Sequence, residues 1–454
     1  MRKVVVIGGS DVGITAALRI RQIDPESEVT VISGNNFPNF SICGIPFFLG
    51  GEIEEYMSLA HRTAEEIRST GLDLYIGSEV HSIDPREKRI VFTDSEGREV
   101  ELRYDKLVLG TGGKSVTPNI PGIDLPGVFT LRWIDEARRI DQFIKEKQPR
   151  EAVIIGGGYI GLEMTEALIR RGIKVKLVEF FDHILTTVDS EFGEVVKNYL
   201  EEQGAQIFVG KKVEHIGEKG GRLEVSAGAE HNFTADMVLV AVGALPETSL
   251  ARSIGVETGI KGAVKVNRKM ETSVKDVYAG GDCAESIHAI TGQAAYIALG
   301  TSAHKHGRII GENICGLKSE YPGTLGTQSL KLFDMVVART GLNDREALEA
   351  GYQPYTCSFE TTDHKGYYRP AYNVKIRFTA DQKTHKVLGC QIIGAIQAEI
   401  SKRIDIVAVS LHRGLSVAEF IMLDLSYTPP LSSPWDPLQM AAAAWLNQNA
   451  RGGV

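Results

Sequence analysis

The stretch "PNFSICGIPFFLGG", residues 38–51, holds one cysteine, Cys43, between proline and glycine edges. The other four, Cys283, Cys315, Cys357 and Cys390, stand far away and form no C-x-x-C pair. That spacing argues against a disulfide framework and a zinc site, so no metal is expected. A cysteine of this kind is either a small buried hydrophobe or a thiolate nucleophile. Cys315, Cys357 and Cys390 are read as the former. Two glycine turns offer a second chemistry. "VVVIGGSDVGITAA" sets Gly8, Gly9 and Gly13 between an apolar run and a helical pattern. "IIGGGYIGLE" is a complete G-x-G-x-x-G at Gly156, Gly158 and Gly161, with Tyr159 and Ile160 inside it. Such turns bring helix-start N–H groups against a pyrophosphate, and the third glycine lets helix and strand approach closely. Glu179 ends the strand after the second turn, 23 residues beyond Gly156, where a carboxylate hydrogen-bonds a ribose 2′-OH. "EFFDH" supplies no Arg or Lys for a 2′-phosphate, so NADH is expected over NADPH. The first copy departs from the pattern. Ser10 replaces its middle glycine, and Ser33 and Gly34 stand where the acid belongs, leaving a hydroxyl and a backbone group for the ribose.

These turns need strands and helices to hold them. "KVVVIGG", "SDVGITAALRIRQI" and "EVTVIS" read strand, helix, strand, and "AVIIGGGYIGLEMTEALIRRGIKVKLVE" repeats the unit about 150 residues later. "VHSIDPREKRIVFTDSEGREVELRYDKLVLGTGG" alternates between turns as a small antiparallel insertion. "ADMVLVAVGALPE" closes the second unit at Gly243, and "VYAGGDCAE" begins another strand-to-helix turn. From "GTLGTQSLKLF" onward strands and helices mix, "RIDIVAVSLHRGLSVAEFIMLD" is helical, and a proline-rich turn precedes an alanine-rich final helix. The expected fold is α/β: two Rossmann-like dinucleotide-binding domains plus a C-terminal α+β domain.

At 454 residues the chain is long enough for several domains, and 43% hydrophobic with 24% charged residues is a globular composition. A net charge of −8 leaves no footprint for nucleic acid. No apolar run approaches the roughly 20 residues that cross a bilayer. The start "MRKVVVIGGSD" reads as a first strand rather than a signal peptide, so a cytoplasmic protein without a membrane partner is expected.

Over nearly its whole length the chain resembles the flavoprotein disulfide reductases with two dinucleotide-binding domains. "LVLGTGG", with Thr111 and Gly112, resembles the turn that closes their FAD site, and Asp282 of "YAGGDCAE" resembles the aspartate that bonds the flavin's ribityl chain and phosphate. "FSICGIPFFLGG" resembles the single-cysteine branch, which holds coenzyme A-disulfide, persulfide and polysulfide reductases alongside NADH oxidases and peroxidases. "GTLGTQSLKLFDMVVARTGL" resembles the opening of their dimerisation domain, and "YTPPLSSPWDP" the C-terminal segment of the coenzyme A-disulfide members. The resemblance implies an FAD domain at 1–115 and 245–320, an NAD domain at 116–244 and a dimerisation domain at 321–454.

It also implies roles. Cys43 cycles as a lone thiolate through a mixed disulfide, persulfide or sulfenic acid, reduced by NADH through the flavin. A helix starting near Gly44–Pro46 is expected to stabilise that thiolate. Tyr427, Tyr367 and Tyr368 resemble tyrosines that reach the partner chain's cysteine in a homodimer with shared active sites. Tyr159 resembles the tyrosine covering the nicotinamide pocket, with Glu163 near the nicotinamide. Thr15, Arg19, Gln22 and Asn39 occupy positions lining a pantetheine channel, and Arg19 and Arg62 are candidates to meet coenzyme A phosphates. Asp11 stands where oxidases and peroxidases carry a histidine, and a carboxylate there raises a neighbouring thiol's pKa. A small-molecule disulfide, persulfide or polysulfide is therefore the expected substrate. The alternatives are an NADH oxidase or peroxidase, or a flavin electron-transfer protein in which Cys43 is incidental.

Overall fold

A computed structural model describes residues 1–228 and 231–451. The first sheet is parallel, in the order Val277–Ala279, Lys106–Leu109, Lys3–Ile7, Glu28–Ile32, Asp73–Tyr75. Val4, Val5 and Val6 are all buried, because a central parallel strand is covered on both faces. Helices Asp11–Ile23 and Gly300–Ile314 pack together, and small residues permit their approach. A Cβ on Gly307 would sit 2.5 Å from the Val12 carbonyl oxygen.

The second sheet repeats the plan with Gln206–Phe208, Lys174–Val178, Glu151–Ile155, Met237–Val240 and Val128–Thr130, again parallel. An antiparallel pair, Gly113–Ser115 with Ala244–Pro246, links the two units. The expected insertion is present as Glu79–Asp84, Arg89–Thr93 and Glu99–Arg103. A second one, His215–Lys219, Arg222–Ser226 and Asn232–Ala235, was not anticipated.

The C-terminal unit is an antiparallel sheet of Gln328–Leu332, Met335–Gly341, Val387–Ala395, Asn373–Asp381 and Pro354–Thr362. Helices Ile400–Arg413 and Pro437–Arg451 pack on it around Phe378, Phe420 and Trp445. Two local readings need correction. The helical stretch after residue 400 breaks at Gly414, a left-handed cap, before Val417–Ile421. Asp282 leads into a 3₁₀ turn, Gly281–Cys283, and a short hairpin; the helix begins only at Gly300. Among the described residues no helix is long and apolar enough to cross a membrane.

Candidate active site

Cys43 lies in a single 3₁₀ turn, Ile42–Gly44, ahead of the helix Ile45–Gly50. Ile45, Pro46, Phe48 and Leu49 are buried and wedge that helix against Tyr159–Arg170 of the second nucleotide-binding unit. A Cβ on Gly50 would approach Ala167 Cα to 3.1 Å, and Arg171 Nε donates to the Leu49 carbonyl at 2.8 Å. By surface area Cys43 is exposed, yet protein crowds its flanks, and the crowding governs the thiol. Burial raises its pKa; Glu163, Asp11 and Asp282 raise it further, and Arg132 alone opposes them. The helix expected near Gly44–Pro46 is present as the six residues Ile45–Gly50. The sequence reading of Asp11 as a thiol-raising neighbour holds.

Asp282 is held by two partners. Arg132 Nη2 donates to Asp282 Oδ2 at 2.5 Å, and the Tyr296 hydroxyl donates to the Asp282 carbonyl at 2.9 Å. Arg132 Nε and Asp11 Oδ1 are buried with no hydrogen-bond partner among the described residues. Burial raises the Asp11 carboxyl and Asp282 adds to it, while His304 and His61 pull it down. His304 Nε2 is 3.6 Å from Asp11 Oδ1, and its Nδ1 is 3.0 Å from Thr15 Oγ1. Arg132, His61 and His304 carry no motif and were missed in the sequence. The phase of Asp11 and Thr15 on one helix pointed only to their own face.

The glycine turns match their readings. Cβ atoms on Gly13 and Gly161 would each lie 1.9 Å from the carbonyl oxygens of Gly8 and Gly156, so only glycine allows these helix–strand contacts. A Cβ on Gly9 would strike Ser33 Oγ at 2.7 Å, whereas Gly158 and Gly243 face open space. Ser33 is buried and donates its hydroxyl to the Asn35 carbonyl, leaving only acceptor capacity beside the exposed Gly34. Thr111 donates to the Glu247 carbonyl at 2.5 Å, and Gly112 turns with φ +69°. Glu179 is buried, with its oxygens accepting the N–H groups of Gly157 (2.5 Å) and Phe181 (2.8 Å). Phe180 and Phe181, which follow it, are exposed, as is Ile160 in the glycine turn. Tyr159 lies beside Thr187, its phenol raised by burial. Glu163 is pushed up to about 7 by burial and by Glu166, against the pull of Lys331.

Of the outer candidates, Asn39 and Arg62 meet at 3.4 Å, and Asn39 donates its N–H to the Gly9 carbonyl. With Thr15 and His304 they form one wall next to the cysteine turn. Arg19 and Gln22 lie further along the same helix, and the Arg19 guanidinium is held by Glu312 at 2.6 Å. Tyr367, Tyr368 and Tyr427 are exposed, and Tyr367 lies against Tyr427. Buried Arg403 ties their segments together, bonding Asp436 and the Asp363 carbonyl.

Residues 2–307 match the model of the pyridine nucleotide-disulphide oxidoreductases, and 327–437 match that family's dimerisation domain. The chain belongs to this family. A CoA-dependent NAD(P)H sulfur oxidoreductase of Pyrococcus furiosus is 35% identical, the alignment covering 97% of this chain and 98% of that relative. An NADH oxidase of Methanocaldococcus jannaschii is 32% identical over 97% and 98%. The structure of an NAD-dependent persulfide reductase from A. fulgidus superposes with a TM-score of 0.95 at 33% identity, covering 99% of this chain and 84% of that one. As a pyridine nucleotide-disulphide oxidoreductase the protein is an enzyme, and membership implies FAD and NAD(P)H. Its residues fit both: unpartnered Arg132 Nε and Asp11 Oδ1 suit a polar ligand, and the open face of Gly158 suits a pyrophosphate.

Proposed function

We propose that this oxidoreductase uses FAD and NADH to reduce a low-molecular-weight disulfide, persulfide or polysulfide of the coenzyme A type through Cys43. The carrying observation is that Cys43 is the one exposed cysteine, with the charges of Glu163, Asp11, Asp282 and Arg132 bearing on its thiol. FAD, when bound, supplies two-electron transfer between a nicotinamide and the Cys43 sulfur. Gly8, Gly9, Gly13, Thr111, Gly112 and Asp282 hold it, with Ser33 and Gly34 at a ribose and Arg132 added by its pairing with Asp282. Gly156, Gly158, Ile160, Gly161, Gly243 and Glu179 hold NADH; Tyr159 covers its pocket and Glu163 stands near the nicotinamide. The Cys43 thiolate attacks the outer sulfur of the substrate, a new S–S bond forms, and the old one breaks to release a thiolate.

Thr15, Asn39 and Arg62 line the approach of a pantetheine arm, with Arg19 and Gln22 farther out. Tyr367, Tyr368 and Tyr427 reach the other subunit's Cys43 in a homodimer, which their exposure supports. Five free cysteines suit a reducing cytoplasm. A second reading, NADH oxidase, follows the Methanocaldococcus relative. Asp11 speaks against it, because a carboxylate there offers no cation to peroxide oxygen and raises the thiol. Stopped-flow oxidation of the NADH-reduced enzyme separates the two. Faster oxidation by coenzyme A disulfide or persulfide than by peroxide or oxygen is expected; the reverse order selects the oxidase.

A further inference from the structure

Thiol–disulfide exchange at Cys43 releases a thiolate that must be protonated, and the cleft holds a pair of side chains arranged to do this. Asp11, first residue of the helix Asp11–Ile23, keeps Oδ1 buried and unpartnered. His304, on the facing helix, sets Nε2 3.6 Å from that oxygen. The Thr15 hydroxyl oxygen lies 3.0 Å from His304 Nδ1; when the ring is protonated on both nitrogens it accepts the Nδ1–H, and the Nε2–H faces Asp11. About half of the His304 side chain is exposed, against 16% for Asp11, so the pair runs from solvent to a buried oxygen. His61 stands at the outer end, its ring 6.4 Å from that of His304. Its N–H donates to the Asn39 carbonyl at 2.9 Å, which fixes it to the wall of the cysteine cleft.

We propose that Asp11 and His304, with His61 at the mouth, form the proton path that serves sulfur chemistry at Cys43. This rests on the reading of the protein as a disulfide or persulfide reductase. In the step, the Cys43 thiolate bonds to one sulfur of R–S–S–R and the S–S bond breaks, its electron pair leaving on RS⁻. The Asp11 carboxyl gives its proton to RS⁻, forming RSH. His304, protonated on both ring nitrogens, passes its Nε2 proton to the Asp11 carboxylate, and the neutral ring takes a replacement proton from bulk solvent. No oxidant or reductant enters this step.

The electrostatics suit the role. Burial holds the Asp11 carboxyl above its usual range despite the pull of His304 and His61, which makes proton uptake there easier than at an exposed aspartate. The other groups around the pair are Cys43 and Asp282 in their turns and, beyond Cys43, Glu163 and Arg132. Lys305, next to His304, bears instead on His306 and His412.

A leaving group that needs no proton isolates the path. Reduced, FAD-loaded enzyme is mixed without NADH with coenzyme A disulfide, whose leaving thiol is basic, or with 5,5′-dithiobis(2-nitrobenzoate), whose thiolate leaves unprotonated. Exchange at Cys43 is followed in a single turnover. Asp11→Asn and His304→Asn should each slow exchange with coenzyme A disulfide by about tenfold to a hundredfold. His304→Asn should leave the aromatic disulfide within about twofold, and Asp11→Asn should not slow it, since only the alkyl thiolate must be protonated and loss of the Asp11 charge relieves the Cys43 thiol. Equal slowing of both disulfides would make the pair structural and overturn the proposal; so would no slowing, or a leaving-group dependence that moves with Tyr427→Phe instead. Failure of the functional reading would show differently, as fast exchange at Cys43 without NADH-driven turnover.

Discussion

The Arg132 guanidinium and the Asp282 carboxylate, 150 positions apart in the chain, meet at 2.5 Å and join the entry to the second nucleotide-binding unit with the last turn of the first. Both side chains are largely buried, so each depends on the other for neutralisation. Arg132→Met leaves Asp282 unpaired and removes a donor from the flavin cradle. FAD affinity should fall about tenfold to a hundredfold, the worth of a hydrogen bond to a charged group. Fluorescence titration of flavin-free protein measures it, and an unchanged Kd would remove Arg132 from the cradle.

Glu179 should set cofactor choice. Its buried carboxylate already accepts two backbone N–H groups, and the stretch Phe180–His183 after it carries no Arg or Lys, so a 2′-phosphate meets repulsion. NADH should exceed NADPH in kcat/KM by at least about tenfold, or roughly 1.4 kcal/mol. Glu179→Gln should shrink that ratio chiefly through improved NADPH use. Equal efficiencies in the wild type would contradict the assignment.

Glu163 should tune Cys43 with pH. Burial and Glu166 push it up to about 7, so it is neutral below that pH and, once charged above it, raises the Cys43 thiol. Glu163→Gln should quicken iodoacetamide alkylation of Cys43 above about pH 7, on the order of threefold for half a pKa unit. Well below that pH the two proteins should match. Because the folded pKa lies above that of the unfolded chain, the wild type loses stability as pH rises from the usual carboxylate range through about 7. Glu163→Gln should be spared that loss in thermal melts. Identical alkylation profiles would uncouple Glu163 from the thiol.

Tyr367 and Tyr427 lie together on the surface, with their segments fastened by Arg403. If Tyr427 serves the other subunit's Cys43, a heterodimer of Cys43→Ser and Tyr427→Phe chains has one site lacking both groups and one intact. It should keep about half of wild-type turnover when each site works independently. Activity near zero, with one site lacking Cys43 and the other lacking the Tyr427 hydroxyl, would instead place both groups in one chain's site.

Much of this was legible in the sequence, for reasons that particular residues make plain. Gly13 and Gly161 announce their turns because no other residue fits 1.9 Å from a carbonyl oxygen. Cys43 stood out through its frame, and Asp11 through its place in the glycine turn. His304 and Arg132 did not, since their partners Thr15 and Asp282 lie 289 and 150 positions away and only the packed helices and turns bring them together. Arg19 is readable as a phosphate ligand from its helix, but its pairing with Glu312, 293 positions on, is not. The helix after Cys43 and the influence of Asp11 on the thiol were legible, but the added charges of Glu163 and Asp282 were not, because they arrive from two other segments.

Replacing Cys43 by serine tests the central claim most directly. With the FAD-loaded Cys43→Ser protein, NADH should still reduce the flavin at close to the wild-type rate, since Glu179 and the Gly156–Gly161 turn are untouched. NADH-driven turnover of coenzyme A disulfide and persulfide should then fall by at least about a thousandfold, as expected for loss of the nucleophile. Full turnover of these acceptors by Cys43→Ser would contradict the account and leave a flavin electron-transfer protein in which the cysteine is incidental.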